Sequence, residues 1–153
     1  MKKLFHLTEG GVNALRVELE SLAARRRPIA ERIKASREFG DLSENAAYTT
    51  ARQEQELVES RIVELESILQ NVKIIKNPGH ADKVQLGSTV TLRDAAGASK
   101  QFQVVGTAEA DPLNGKISDE SPLGQALLGR CQGDEIEFKA SVRPTTYVIV
   151  GIV

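Results

Sequence analysis

Apolar positions in the first half of the chain recur with spacings that alternate between three and four. One run reads Val12, Leu15, Leu19, Leu22, Arg26, Ile29, Ile33, Ser36, and a second reads Tyr48, Ala51, Gln55, Val58, Ile62, Leu65, Leu69, Val72. Spacing of this kind lines one face of a helix and, when sustained, forms a coiled-coil seam. Read head to tail, the two seams mirror each other about Leu42. Val12 answers Val72, Leu19 answers Leu65, Leu22 answers Ile62, Ile33 answers Ala51, and Ser36 answers Tyr48. A single long helix does not require that symmetry. The pattern predicts an antiparallel helical hairpin that bends at Gly40–Ser43, with arms roughly 45 Å long at about 1.5 Å per residue.

Local chemistry agrees with the hairpin. Thr8 can cap the first helix and Gly40 can supply the left-handed residue that ends it. Asp41 or Ser43 can cap the second helix. Pro28 lies inside the first seam, where it removes one backbone hydrogen bond and should bend the helix.

From Asn77 the texture changes. Glycine and proline recur, and short β-rich runs appear: STVTL, KQFQVVG, DEIEF and TTYVIVGIV. The stretch KNPGHADK reads as a linker. Ser121, Pro122 and Gly129 bracket a short helix, Pro122–Leu128, with Leu123, Leu127 and Leu128 facing inward on an antiparallel sheet. The fold class is therefore α+β. An N-terminal coiled-coil hairpin spans 1–76, a linker 77–85, and a C-terminal domain 86–153.

Composition excludes several functions. The 153 residues carry a net charge of −1, so the basic footprint of an autonomous nucleic-acid binder is missing. A single cysteine, Cys131, rules out an intrachain disulfide and reads as a half-buried packing residue. No apolar run approaches the ~20 residues of a membrane span. The start, MKKLFHL, turns polar at Thr8–Glu9, too early for a signal peptide. The expected setting is a reducing cytoplasm with no membrane partner. Only Phe102, Phe138 and Tyr147 are aromatic in the second half, too few for an aromatic substrate pocket. His6 and His80 stand far apart and suggest no site.

The stretch REFGDLSENAAY, Arg37–Tyr48, falls at the bend. Asp41 and Glu44 admit two readings. D-x-x-E is a variant of the capping box, and both acids suit a helix N-terminus. Alternatively, two oxygen donors at the end of a thin hairpin can complete the shell of a hard cation such as Mg²⁺, which takes one or two protein carboxylates and draws other ligands from a partner. Two carboxylates without a base or further ligand cannot make this chain a nuclease alone.

The segment GDLSENAAY followed by RQEQ resembles the tip motif of the bacterial Gre transcript cleavage factors, which read roughly G-D-L-x-E-N-A-E-Y. KISDESPLGQALLGRCQGDEIEF resembles their C-terminal domain, and the resemblance spans essentially the whole chain in order. It implies a C-terminal FKBP-like domain that binds bacterial RNA polymerase and a coiled coil that enters the polymerase's secondary channel. It implies that Asp41 and Glu44 act in trans as catalytic acids, helping to hold the second Mg²⁺ of the polymerase site. The ion is shared within the complex and not bound tightly by the isolated protein, which is expected to be a monomer without nuclease activity of its own. Arg37, Arg52 and Tyr48 are implied contacts to the nascent RNA 3′ end, and the small basic patch resembles the GreA branch more than the GreB branch. The alternative is a channel regulator that does not stimulate cleavage. Two departures stand out: Ala47 occupies a position where the family usually has an acid, and the chain end lacks the usual Pro-x-Gly turn before the last strand.

Overall fold

The structure is a computed structural model; it describes residues 3–38, 40, 45–79, 81–138 and 144–153. Two long helices, α1 (Glu9–Arg37) and α2 (Ala46–Gln70), follow a short strand β1 (Phe5–Thr8). Then come β2 (Val72–Ile75), β3 (Thr89–Asp94), β4 (Ser99–Val105), β5 (Lys116–Ser118), α3 (Pro122–Leu127), β6 (Glu135–Phe138) and β7 (Thr145–Ile152). Two short 3₁₀ turns, Thr107–Glu109 and Pro112–Asn114, separate β4 from β5.

The hairpin is antiparallel. Cross-helix contacts run in opposite numerical directions: Glu18 with Arg61, Arg26 with Glu59, Arg32 with Glu54, and Ser36 with Asn45. Its core is Ile29, Ile33, Ala51, Val58 and Ile62, with Leu19, Leu22 and Tyr48 packed against them. Two polar seam positions, Arg26 and Ser36, find partners. Arg26 swings out and meets Glu59 through two parallel hydrogen bonds of 2.8 and 2.9 Å. Ser36 is buried, but its hydroxyl donates back to the carbonyls of its own helix at Arg32 and Ile33. Pro28 lies within α1, which is assigned as continuous across it.

At the far end of the second seam the structure departs from the pattern. Ile68, not Leu69, is the buried residue, and Val72 has left the helix for β2. Asn71 ends α2 without a glycine: its N–H donates to the Ile68 carbonyl and its side-chain amide to that of Ser67. Two carbonyls that the helix leaves orphaned are thereby satisfied, and the β-branched run VKII can begin at once.

Contacts divide the chain differently from a boundary at 76. Met1–Gly11 and Val72–Val153 form one unit and Val12–Asn71 the other. The cause is a parallel ladder between β1 and β2, pairing Phe5 with Val72 through Thr8 with Ile75. Within the same unit lies a five-stranded sheet of order β5-β4-β3-β7-β6. It is antiparallel except that β5 runs parallel to β4. Its core is aliphatic: Val84, Val90, Leu92, Val104, Ile117, Leu123, Leu127, Ile136, Ile149 and Ile152. The end of the expected linker thus belongs to the core through Val84, which also exchanges backbone hydrogen bonds with Gly129 and Arg130.

Strand β7 buries Ile149 and Ile152, three residues apart, on one face. A regular strand alternates faces with period two. The register slips between Thr91 and Leu92, so that Leu92 pairs with Ile149 and Thr91 with Gly151. The unpaired Val150 is a bulge, and it returns Ile152 to the core. The hairpin β6–β7 forms in register from Glu135–Val148 to Phe138–Thr145 without a Pro-x-Gly turn. Helix α3 is capped by Ser121, whose hydroxyl accepts from Gly124 N at 3.1 Å. It stops one residue before Leu128, and Gly129 follows with φ of 79°.

Candidate functional site

The hairpin end is built from the last turn of α1 and the first turn of α2. Helix α1 ends at Arg37, and Gly40 follows with φ of 96°, a left-handed conformation that favours glycine. Helix α2 is capped by Asn45, and Ser43, one of the two expected caps, lies outside the described residues. The Asn45 Oδ1 accepts the Tyr48 N–H at 3.1 Å, and the Asn45 carbonyl accepts the Thr49 N–H at 3.0 Å. Asn caps as well as Asp does, and it stands four residues further along than the D-x-x-E pattern places the cap. The two acids themselves lie outside the described residues.

Of the expected RNA contacts, two come together. The Arg37 guanidinium lies over the Tyr48 ring, 5.9 Å from its centroid, within the range of a cation–π contact. Tyr48 also packs against the hairpin core, so its packing and its partnership with Arg37 are compatible. Arg52 sits apart from that pair and donates to the Gln55 Oε1 at 2.6 Å. Among the described residues neither Arg37 nor Arg52 has a carboxylate partner, whereas Arg25, Arg26, Arg27, Arg32 and Arg61 each do. A surface groove of about 410 Å³ borders this end, lined by Arg32, Ala35, Ser36, Ala46, Ala47, Thr50 and Ala51. Ala47 adds no charge to that lining, in which Arg32 is the one charged residue among the described residues.

The ion pairs along the arm shift the titration of their carboxylates. A hydrogen bond from Arg61 holds Glu18 below its ordinary range, against a smaller opposing effect of burial. Glu54 is lowered by hydrogen bonds from Arg32 and then Arg25, and Glu59 by that from Arg26. Arg61 is raised in turn, chiefly by Glu18. These pairs fasten the two helices to each other.

Among the described residues no cluster of three or more His, Cys, Asp or Glu could hold a metal ion. His6 lies in β1 with Nδ1 buried and, among the described residues, without a hydrogen-bond partner, and His80 is outside the described residues. No described helix is long and apolar enough to cross a membrane.

Sequence reasoning missed Asn45 and Glu109. The Glu109 carboxylate accepts the Thr8 N–H at 2.9 Å and the Thr8 hydroxyl, while that hydroxyl accepts the Gly11 N–H at 3.0 Å. Thr8 caps α1 as expected, but the acid that completes the capping box comes from 101 residues away. Its spacing leaves no local signal. Asn45 did carry one, as an Asn directly before a helical pattern, but the acids beside it drew the capping assignment.

Residues 5–74 match the family profile described as "Transcription elongation factor, N-terminal", and residues 79–153 match "Transcription elongation factor, GreA/GreB, C-term". The chain belongs to the GreA/GreB family of transcription elongation factors. It is similar to transcription elongation factor GreA of Macrococcus caseolyticus, 46% identical over 138 residues that cover 89% of this chain and 87% of the relative. It is also similar to GreA of Lactococcus lactis, 41% identical over 155 residues and 99% of each chain. Among solved structures, GreA factor homolog 1 of Thermus thermophilus covers 99% of both chains at 32% identity, with a TM-score of 0.46. Membership in the GreA/GreB family makes the chain an accessory transcription factor; the hairpin unit, Val12–Asn71, falls within the first match and the five strands of the larger sheet within the second.

Proposed function

We propose that this chain binds bacterial RNA polymerase through its FKBP-like sheet unit, enters the secondary channel with its hairpin, and stimulates the polymerase's own cleavage of backtracked RNA. The observation that carries the reading is the position of GDLSEN between the end of α1 and the Asn45 cap of α2. In the sequence the acids fall between the end of α1 at Arg37 and the start of α2, whose cap is supplied by Asn45. Asp41 and Glu44 are the residues that would hold Mg²⁺, and their oxygen donors suit a hard cation that keeps most of its shell from elsewhere. Bound there, the ion would activate water and neutralise charge at the scissile phosphate. The chain's own residues have simpler tasks. Arg37 and Arg52 attract RNA phosphates without reading sequence, and Tyr48 fixes Arg37 while closing the core beneath it.

The test is a stalled, backtracked polymerase complex incubated with the protein and Mg²⁺. Release of 3′ RNA fragments at rates above the polymerase alone supports the reading. Binding without fragment release would make the chain a channel regulator, the outcome that the intact Asp41 and Glu44 argue against.

A further inference from the structure

The side-chain amide of Asn45 makes two hydrogen bonds, and they reach both sides of the tip. Its Oδ1 accepts the Tyr48 N–H at 3.1 Å. Its Nδ2 donates to the Ser36 carbonyl at 2.6 Å. The Ser36 carbonyl belongs to the peptide group that leads into Arg37. The Tyr48 N–H belongs to the peptide group that leads into the tyrosine. One planar amide therefore holds the backbones of the two residues whose side chains meet as guanidinium and ring.

The anchor on the α1 side is firm. Ser36 is 3% exposed, and its hydroxyl is tied to the Arg32 and Ile33 carbonyls at 2.7 and 3.1 Å. Arg37 itself is exposed. A cation–π contact at an exposed site is too weak to fix a long side chain unless the backbones are already set. The fork needs one donor and one acceptor on one short side chain, and the partners leave no doubt about which way the amide points. Asp and Ser can cap the helix, but neither can donate an N–H to Ser36.

We infer that Asn45 is a positioning residue that seats the Arg37 guanidinium on the Tyr48 ring and thereby presents the pair to single-stranded RNA. The last step rests on the function proposed above for Arg37 and Tyr48; the seating does not. Arg37 then reaches an RNA phosphate with its direction already set, and less freedom is lost on binding.

Nuclear magnetic resonance on the free, full-length protein tests the seating. The Arg37 side-chain protons should show an upfield ring-current shift in the wild type, and Tyr48→Leu should abolish it. Asn45→Asp and Asn45→Ser keep a capping oxygen, so their melting midpoints should stay near that of the wild type. In both, the Arg37 ring-current shift should vanish. Crosslinking of the factor to the RNA 3′ end in a backtracked polymerase complex should fall in Asn45→Asp to the level of Arg37→Ala. The double variant should fall no further. A wild-type ring-current shift in Asn45→Asp and Asn45→Ser would overturn the inference, as would additive losses in the double variant. A lost shift with unchanged crosslinking would leave the seating in place and remove the RNA role proposed for the pair.

Discussion

At the scale of single residues, small side chains decide where the backbone can close. Gly124 in α3 lies so near β5 that an added Cβ would fall 2.0 Å from the Ser118 carbonyl oxygen. Backbone cannot retreat as a flexible side chain can. Gly124→Ala should therefore lower stability by about 1–3 kcal/mol or more, read as a drop in the urea midpoint. An unchanged midpoint would mean that α3 slides freely on the sheet. None of this is legible in the sequence, where Gly124 reads as a weak position in a short helix. Ser121, Pro122 and Gly129 were legible, because capping and stopping depend on neighbours in the chain. The same divide runs through the cap of α1. Thr8 precedes an apolar pattern and announces itself, while Glu109 completes that cap from a distant loop. Glu109 is 4% exposed as a side chain and also meets Lys116 Nζ at 3.4 Å. Glu109→Ala should cost about 1–3 kcal/mol, since the Thr8 N–H is left without its acceptor. A loss below a few tenths of that would mean the Thr8 N–H finds water instead.

At the scale of elements, the hairpin was legible because its core is periodic. Ile29, Ile33, Ala51, Val58 and Ile62 are buried as the seams require. The strands β1, β2 and β5 were not, since each has only three or four residues and the first two adjoin helical patterns. The seam pairing gives a direct test. Cysteines at Leu19 and Leu65 should form a disulfide within one chain, and only intermolecular products would contradict the antiparallel pairing. The ion pairs give a second. Glu18, Glu54 and Glu59 have folded pKa values held below their ordinary range. Such groups contribute stability above the unfolded carboxylate value of about 4.3, and that contribution is lost as pH falls through the lowered folded value. The helix signal should therefore melt earlier as pH drops below about 4.3. Each pair is substantially exposed, so Glu18→Gln should change stability by no more than about 1 kcal/mol at neutral pH and reduce the acid sensitivity. An acid profile identical to that of the wild type would assign the pairs no role.

At the scale of the whole molecule, both profiles match in order along one chain, and the activity proposed for it belongs to a complex with the polymerase. Arg52 donates to Gln55 and, among the described residues, has no carboxylate partner, so its charge remains available to RNA. Arg52→Ala should weaken crosslinking to the RNA 3′ end and raise the factor concentration needed for cleavage, with the maximal rate kept. A full rate at unchanged concentration would return it to a solvated helix face. The central claim is that the tip acids serve chemistry in another enzyme's site. Because Asn45 caps α2, Asp41→Asn should leave melting and polymerase binding unchanged. Cleavage of backtracked RNA, measured beside both, should fall by at least the roughly 10–100-fold that losing even an outer-shell partner of a metal ligand costs, with partial recovery at raised Mg²⁺. Cleavage by Asp41→Asn at the wild-type rate would contradict the account.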